Sequence, residues 1–150
     1  MKINERFTWA VSILSISPAD QILEIGCGAG ILTEQIAQQL KSGCVTAIDK
    51  SKPMMQRAEQ RNKEYIHAGK VKLVTADLAR AKLAEQYFDK IAAFNVNIFW
   101  QGSEKDFQQI RHCLKPSGLI YIFYQTPSFA DPKLADKIKA KLQEHQFTIQ

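Results

Sequence analysis

Long apolar runs are missing from this chain: no stretch approaches the roughly 20 residues that a membrane-spanning helix needs, so no membrane partner is expected. Cysteine is scarce. Cys27, Cys44 and Cys113 are odd in number and show no metal-ligand spacing, which argues against a disulfide framework or a bound metal and suits a reducing cytoplasm. Met1 to Trp9 carries charges of both signs and no apolar stretch before a small-residue cleavage site, so no secretory leader is expected. Internal repeats and low-complexity segments are absent too. What is present, 150 residues of which 45% are hydrophobic and 23% charged, makes one domain with a single core, spanning residues 1–150. The net charge of +5 invites a nucleic-acid reading. Yet Lys133, Lys137, Lys139 and Lys141 stand beside Asp131, Asp136 and Glu144 in one terminal segment, the pattern of a solvated helix face, and nucleic acid is not the expected partner.

The stretch that organises the chain is Leu23-Glu24-Ile25-Gly26-Cys27-Gly28-Ala29-Gly30, between a short apolar run and a helical pattern opening at Ile31. Glycines at alternate positions let the backbone turn sharply and bring its N–H groups toward a ligand. A strand, such a turn and a helix form the first unit of an open parallel sheet, whose ligands lie beyond the carboxyl ends of the strands. A dinucleotide fingerprint wants a glycine at the sixth place, which here is Ile31. Glu24 would also repel a pyrophosphate, whereas it suits a ligand carrying positive charge. Further along, Asp49 closes the second apolar run 19 residues after Gly30, near the offset at which an acid takes ribose hydroxyls.

Glu24, Gly26, Gly28 and Gly30 fill an acid-x-Gly-x-Gly-x-Gly pattern that resembles the first motif of the class I S-adenosylmethionine-dependent methyltransferases. The resemblance implies an α/β fold, a three-layer α-β-α sandwich around a mostly parallel, Rossmann-like sheet, and S-adenosylmethionine as cofactor. It implies that Met54 covers one face of the adenine, that Asp77 accepts from the adenine amino group while the Leu78 N–H reaches a ring nitrogen, and that Asn95 helps hold the methionine ammonium. Cys27 and Lys50, in the same two loops as Gly26 and Asp49, complete the expected cofactor-binding set. Cys27 suits the turn because it is small.

Helical spacing marks Phe7, Val11 and Leu14; Leu32, Ile36 and Leu40; Phe107, Ile110 and Leu114; and Leu134, Ile138 and Leu142. Ser42-Gly43 reads as a glycine C-cap, Ser51 as an N-cap with Pro53 just inside a helix that runs to about His67 and closes at Gly69, and Ser103 to Asp106 as a capping box with Asp in place of Glu. Strands are expected at 22–25, 44–48, 71–75, 88–94 and 119–124, a short helix at 79–86, and the start of a sixth strand at Phe147-Thr148-Ile149. The family sheet has seven strands, so most of a C-terminal hairpin is missing from the expected sheet. Either the chain is shortened there, or a second copy covers an open apolar edge.

Asn95-Val96-Asn97-Ile98 departs from the Asn/Asp-Pro-Pro-aromatic form of the family's nucleic-acid amino methyltransferases, which leaves a small-molecule acceptor as the expected partner. Phe99 and Trp100 either cap an apolar substrate or wedge their loop against the next helix; Phe7 and Trp9 either line the pocket or pack on the core. Positioning accounts for much of a methyl transfer, and no histidine or carboxylate stands near Asn95 as a general base, so no catalytic residue is named. A module that holds the cofactor without turnover and a nicotinamide-dependent oxidoreductase are the alternatives.

Overall fold

The computed structural model describes residues 3–125 and 131–150. Helix α1 (Ile3–Leu14) precedes strand β1 (Gln21–Ile25), and the chain then alternates through α2 (Ile31–Gln39), β2 (Cys44–Asp49), α3 (Lys52–His67) and β3 (Val71–Thr75). A 3-10 turn at Leu78–Arg80 leads to β4 (Phe88–Phe94), the short α4 (Ile98–Gln101), α5 (Glu104–Cys113), β5 (Leu114–Phe123) and α6 (Leu134–Glu144). All strand pairs are parallel, in the order β3-β2-β1-β4-β5. The order reverses between β1 and β4, and that switch point is where such sheets take their ligands.

Because both faces of the sheet are covered, the central strands are apolar at successive positions rather than alternate ones. Ile22, Val45 and Ala92 pack under α1 and α2, against Ala10, Leu14, Leu32, Ile36 and Leu40. Leu23, Ile25, Ile48, Ile91 and Ala93 pack on the opposite face against Phe99, Phe107, Ile110, Leu134, Ile138 and Leu142. The result is the expected three-layer sandwich.

Local chemistry sets most element ends. The Ser51 Oγ accepts from the Met54 N–H at 3.4 Å, with proline in the first turn of α3. Ser103 and Asp106 satisfy one another's backbone N–H in a full capping box ahead of α5. Gly69 takes φ 75° just past α3, as expected. Along α6, Lys137 pairs with Asp131 at 2.5 Å and Lys141 with Glu144 at 3.7 Å, on a face turned to solvent.

Four expectations are corrected. Gly43 is not a left-handed cap: α2 already ends at Leu40, which is extended and buried. The Pro18 carbonyl then accepts from the N–H groups of Lys41, Ser42 and Gly43, and a Cβ on Gly43 would lie 2.2 Å from the Asp20 carbonyl oxygen, so close approach explains that glycine. Residues 79–86 form one 3-10 turn and then a loop, because only Leu78 and Ala81 are buried there, too few to anchor a helix. Strand β5 begins earlier than expected. Leu114 pairs with Phe88, Lys115 to Gly118 bulge outward, and pairing resumes with Leu119 beside Lys90. Phe147 to Ile149 is not a strand; Phe147 instead packs against the core beneath α6. Among the described residues β5 has no partner on its outer edge, where Leu119 and Tyr124 are exposed.

No described helix is long and apolar enough to cross a membrane. No group of three or more His, Cys, Asp or Glu among the described residues is placed to hold a metal ion.

Candidate functional site

The glycine bend between β1 and α2 is fixed by hydrogen bonds on both sides. Gly26, Gly28 and Gly30 all have positive φ, at 70°, 54° and 74°. Gly26 and Cys27 donate their N–H to the Ile48 carbonyl at 2.8 and 3.1 Å, Gly28 donates to Asp49 Oδ2 at 2.9 Å, and Gly30 donates to the Cys27 carbonyl at 3.0 Å. The expectation that these N–H groups face a ligand is therefore corrected. Those of Gly26, Cys27 and Gly28 tie the bend to β2, whose end presents both a carbonyl and a carboxylate, and that of Gly30 closes the bend on itself. From the other side, α3 holds the outgoing limb: Arg61 Nε donates to the Ala29 carbonyl at 3.2 Å and Asn62 Nδ2 to the Gly30 carbonyl at 3.1 Å.

A cleft of about 310 Å³ opens beyond the strand ends, beside this bend. Its apolar surfaces come from Ile25, Ile48, Leu78, Val96 and Ile98, and its polar ones from Asp49, Lys50, Asp77, Asn97, Gln101 and Asp106. Three carboxylates thus meet one lysine. Asp49 uses Oδ2 on Gly28 and Oδ1 on the Ser51 N–H at 2.8 Å, which leaves lone pairs on both oxygens for hydroxyl donors. Asp77 is exposed, and its side chain makes no cap hydrogen bond. Asp106 is occupied by the Ser103 N–H and hydroxyl, each at 2.8 Å.

Of the residues expected to bind the cofactor, the cleft gathers Gly26, Asp49, Lys50, Asp77 and Leu78 along its wall. Gly28 is outside the cleft wall, and an added Cβ there would meet nothing within 4 Å. Gly30 is buried against α3 and acts through the backbone. Met54 is half-buried at the start of α3, outside the cleft wall, while Met55 is core. Asn95 is exposed at φ 54°, outside the cleft wall, and its Oδ1 accepts from the Gln125 N–H at 2.8 Å. The Cys27 side chain turns away into a cluster with Ala47 and Met55. Burial, then the nearby Glu24 and Asp49, pushes its thiol pKa up, so it is no nucleophile. Phe99 is fully buried and meets Phe107 edge-on, which settles it as a wedge. Phe7 packs on Phe94, and Trp9, half exposed, meets Phe123 edge-on.

Glu24 lies beneath the bend rather than in the cleft wall. It is buried, and Thr33 Oγ1 donates to its carboxyl at 2.5 Å. Desolvation raises its pKa to about 8; the Thr33 hydrogen bond opposes the shift and the charge of Asp49 adds to it. Between about 4.5 and 8 the folded chain keeps a proton that the unfolded chain has released, so this group costs stability as pH rises through that window. Urea unfolding of Glu24→Gln beside wild type is expected to show the variant gaining on wild type from pH 5 to pH 8, by on the order of a few kcal/mol. A difference that does not change with pH would mean that Glu24 is already ionised.

The residues that motif reasoning did not reach are Ile25, Ile48, Ala76, Gln101, Gly102 and Asp106 in the wall, and Thr33, Arg61 and Asn62 behind it, while Val96, Asn97 and Ile98 of the wall belong to the loop stretch already singled out in the sequence. One signal was available. Gly26 has Val96 against it, with 2.7 Å from an added Cβ to Val96 Cγ2, so the alternate glycines mark close approach by a second loop.

Residues 22–118 match the family model described as a methyltransferase domain. The chain is 31% identical over 123 residues to an uncharacterised methyltransferase, YdaC, of Bacillus subtilis, covering 82% of this chain and 65% of that one. It is 29% identical over 99 residues to a malonyl-[acyl-carrier protein] O-methyltransferase of Halalkalibacterium halodurans, covering 66% of this chain and 36% of that protein. It therefore spans less than two thirds of the length of either relative. The fold is shared with the crystal structure of a SAM-dependent methyltransferase from Aquifex aeolicus at a TM-score of 0.79 and 17% identity, over 96% of this chain and 80% of that one. With more than half its length matched by that model, and with the bend, sheet order and cleft described above, the chain belongs to the methyltransferase-domain family.

Proposed function

We propose that this chain binds S-adenosylmethionine in the cleft and transfers its methyl group to a small-molecule acceptor. The observation that carries the reading is the electrostatics of the bend. Four of its N–H groups, those of Gly26, Cys27, Gly28 and Gly30, already have acceptors, and Asp49, Asp77 and Asp106 line the cleft with Lys50 as the one cation in its wall. A pyrophosphate would meet few donors and three negative side chains, whereas an adenosyl ligand without phosphates meets carboxylates that accept from its hydroxyl and amino donors. Membership of the family supports the same cofactor.

In this reading Asp49 accepts from the ribose hydroxyls with its remaining lone pairs, and Asp77 accepts from the adenine amino group. The Leu78 N–H reaches a ring nitrogen, with Ile48 and Leu78 as apolar walls for the ring. Glycine at position 28 leaves open the rim over which the ligand lies. Asn95 and the loop after β4 face the methyl-donor end. When bound, the sulfonium supplies an activated methyl group: an acceptor lone pair forms the new bond to carbon as the carbon–sulfur bond breaks toward sulfur. The protein's part is then alignment and exclusion of water. A cytoplasmic setting fits three buried free cysteines.

Asp49→Ala is expected to weaken S-adenosylhomocysteine binding by about 1 to 3 kcal/mol, read by calorimetry; unchanged affinity would remove Asp49 from the site. A methylated product in a metabolite extract incubated with the protein and labelled donor distinguishes an enzyme from a module that only holds the cofactor.

A further inference from the structure

We propose that the outer edge of β5 is an interaction surface whose partner is a second copy of this chain, joined antiparallel about a two-fold axis at Ile122. Asn95 donates its N–H to the Phe123 carbonyl at 2.9 Å, so the backbone of Phe123 is turned toward β4. Backbone direction alternates along a strand. Leu119 and Tyr121 therefore face β4 as well, whereas Ile120, Ile122 and Tyr124, the residue just after the strand, present their N–H and carbonyl groups to the outer edge. No described strand receives them there.

The side chains that border this edge are apolar on both faces of the sheet. Leu119 and Tyr124 are exposed, and Ile120, Tyr121 and Ile122 are half-buried. On one face α1 adds Trp9, edge-on to Phe123 and 51% exposed, and Ile13 one turn later at 47%. On the other face Tyr124 meets Trp100 edge-on. Lysine, proline and bulges are the devices that keep a strand edge from pairing. Here Lys115, Pro116 and the bulge that runs to Gly118 stop just short of Leu119, and the stretch beyond them is unguarded.

Charge and register select a second copy as the occupant. No charged residue lies between Leu119 and Gln125, in a chain of net charge +5, so a two-fold axis brings no like charges together on this edge. The same neutrality offers no ion pair to a strand of other sequence. With the axis at Ile122, Ile122 faces its own copy and Ile120 faces Tyr124, each as a pair that exchanges both N–H···O bonds, and every outward group from Ile120 to Tyr124 is satisfied. On the face toward α1 that register sets Tyr121 beside Phe123, an aromatic cross-strand pair. The contact is isologous and closes at two copies. The chain's own described C-terminal residues are engaged elsewhere, since α6 and Phe147 pack on the cluster that holds Phe99 and Phe107.

Light scattering after gel filtration of the full chain at micromolar concentration is expected to give twice the chain mass of 17.0 kDa. Tyr124→Pro removes an outward N–H that β4 does not use and leaves Phe123 extended, so it is expected to run at the single-chain mass with the circular dichroism of wild type. Two cysteine variants read the register. Ile122→Cys is expected to form an intermolecular disulfide on oxidation, because paired Cα atoms about 5.5 Å apart are within bridging range. Leu119→Cys, although more exposed, stands roughly 20 Å from its copy in this register and is expected to stay reduced. The native cysteines are all buried and add no bridge. A single-chain mass for wild type, an open series of higher oligomers, or a dimer that survives Tyr124→Pro would overturn the proposal, as would cross-linking through Leu119→Cys in preference to Ile122→Cys. Should Tyr124→Pro fail to fold, the wild-type mass and the two cysteine variants decide.

Discussion

Gly30→Ala is expected to lower the stability of the folded chain by about 2 to 4 kcal/mol, from the cost of a left-handed alanine added to that of overpacking. Gly30 has φ 74°, and an added Cβ would lie 2.6 Å from Asn62 Nδ2, 2.9 Å from Ala58 Cβ and 3.1 Å from Ala58 Cα. Asn62 has no room to yield, being fully buried with Nδ2 shared between the Gly30 and Ala58 carbonyls at 3.1 and 2.9 Å. Helix α3 must move, and with it the anchors on Ala29 and Gly30. Gly28→Ala is the matched control: φ is 54° but the added Cβ meets nothing within 4 Å, so only the backbone cost of about 1 to 2 kcal/mol applies. Its main effect should fall on ligand affinity, because in the proposed reading the methyl projects into the open space over which the ligand lies. Urea unfolding of the two variants checks this, and equal losses would mean that α3 does not hold the bend.

Phe99→Ala is expected to cost about 3 to 5 kcal/mol, the range for removing a buried phenylalanine. The ring is fully buried, meets Phe107 at 6.5 Å between centroids, and fixes a four-residue helix too short to stand by itself. Val96, Asn97, Ile98, Gln101 and Gly102, all cleft residues, flank it in sequence. Cofactor affinity is therefore expected to fall together with stability. The neighbouring Trp100, half-buried and edge-on to Tyr124, provides the contrast: its truncation should cost less and leave the wall of the cleft in place. Thermal unfolding and a binding titration on both variants separate a wedge from an ordinary surface aromatic.

Much of the frame was legible because it is written in short-range chemistry. The Ser51 and Ser103 caps, the glycine after α3 and the apolar runs of β1 to β4 need only neighbouring residues to be read. The acid at the end of β2 was legible from its offset to the glycines. What was hidden depends on partners distant in sequence. Gly28 and Asp49 are 21 residues apart, and no motif says that a loop N–H will choose a carboxylate over a ligand. Gly43 looked like a helix cap, yet it is small because the Asp20 backbone crosses it. The segment after Leu78 has helix-forming residues without a buried stripe, and tertiary packing overrode propensity there. The bulge at Lys115 to Gly118 and the packing of Phe147 beneath α6 were equally invisible, since each is set by what the neighbouring element offers. Glu24 was correctly singled out as unusual, but its place behind the bend, on Thr33, is a matter of strand facing that the motif does not encode.

The bend's donors are already occupied and three of the four charged side chains in the cleft wall are acidic, an arrangement that opposes a pyrophosphate and suits the hydroxyl and amino donors of an adenosyl ligand. Calorimetric titration of the purified chain with S-adenosylmethionine and, separately, with oxidised nicotinamide adenine dinucleotide tests it most directly. Saturable one-to-one binding of the sulfonium nucleoside, with no measurable heat from the dinucleotide, is the predicted result. Binding of the dinucleotide in its place would contradict the account.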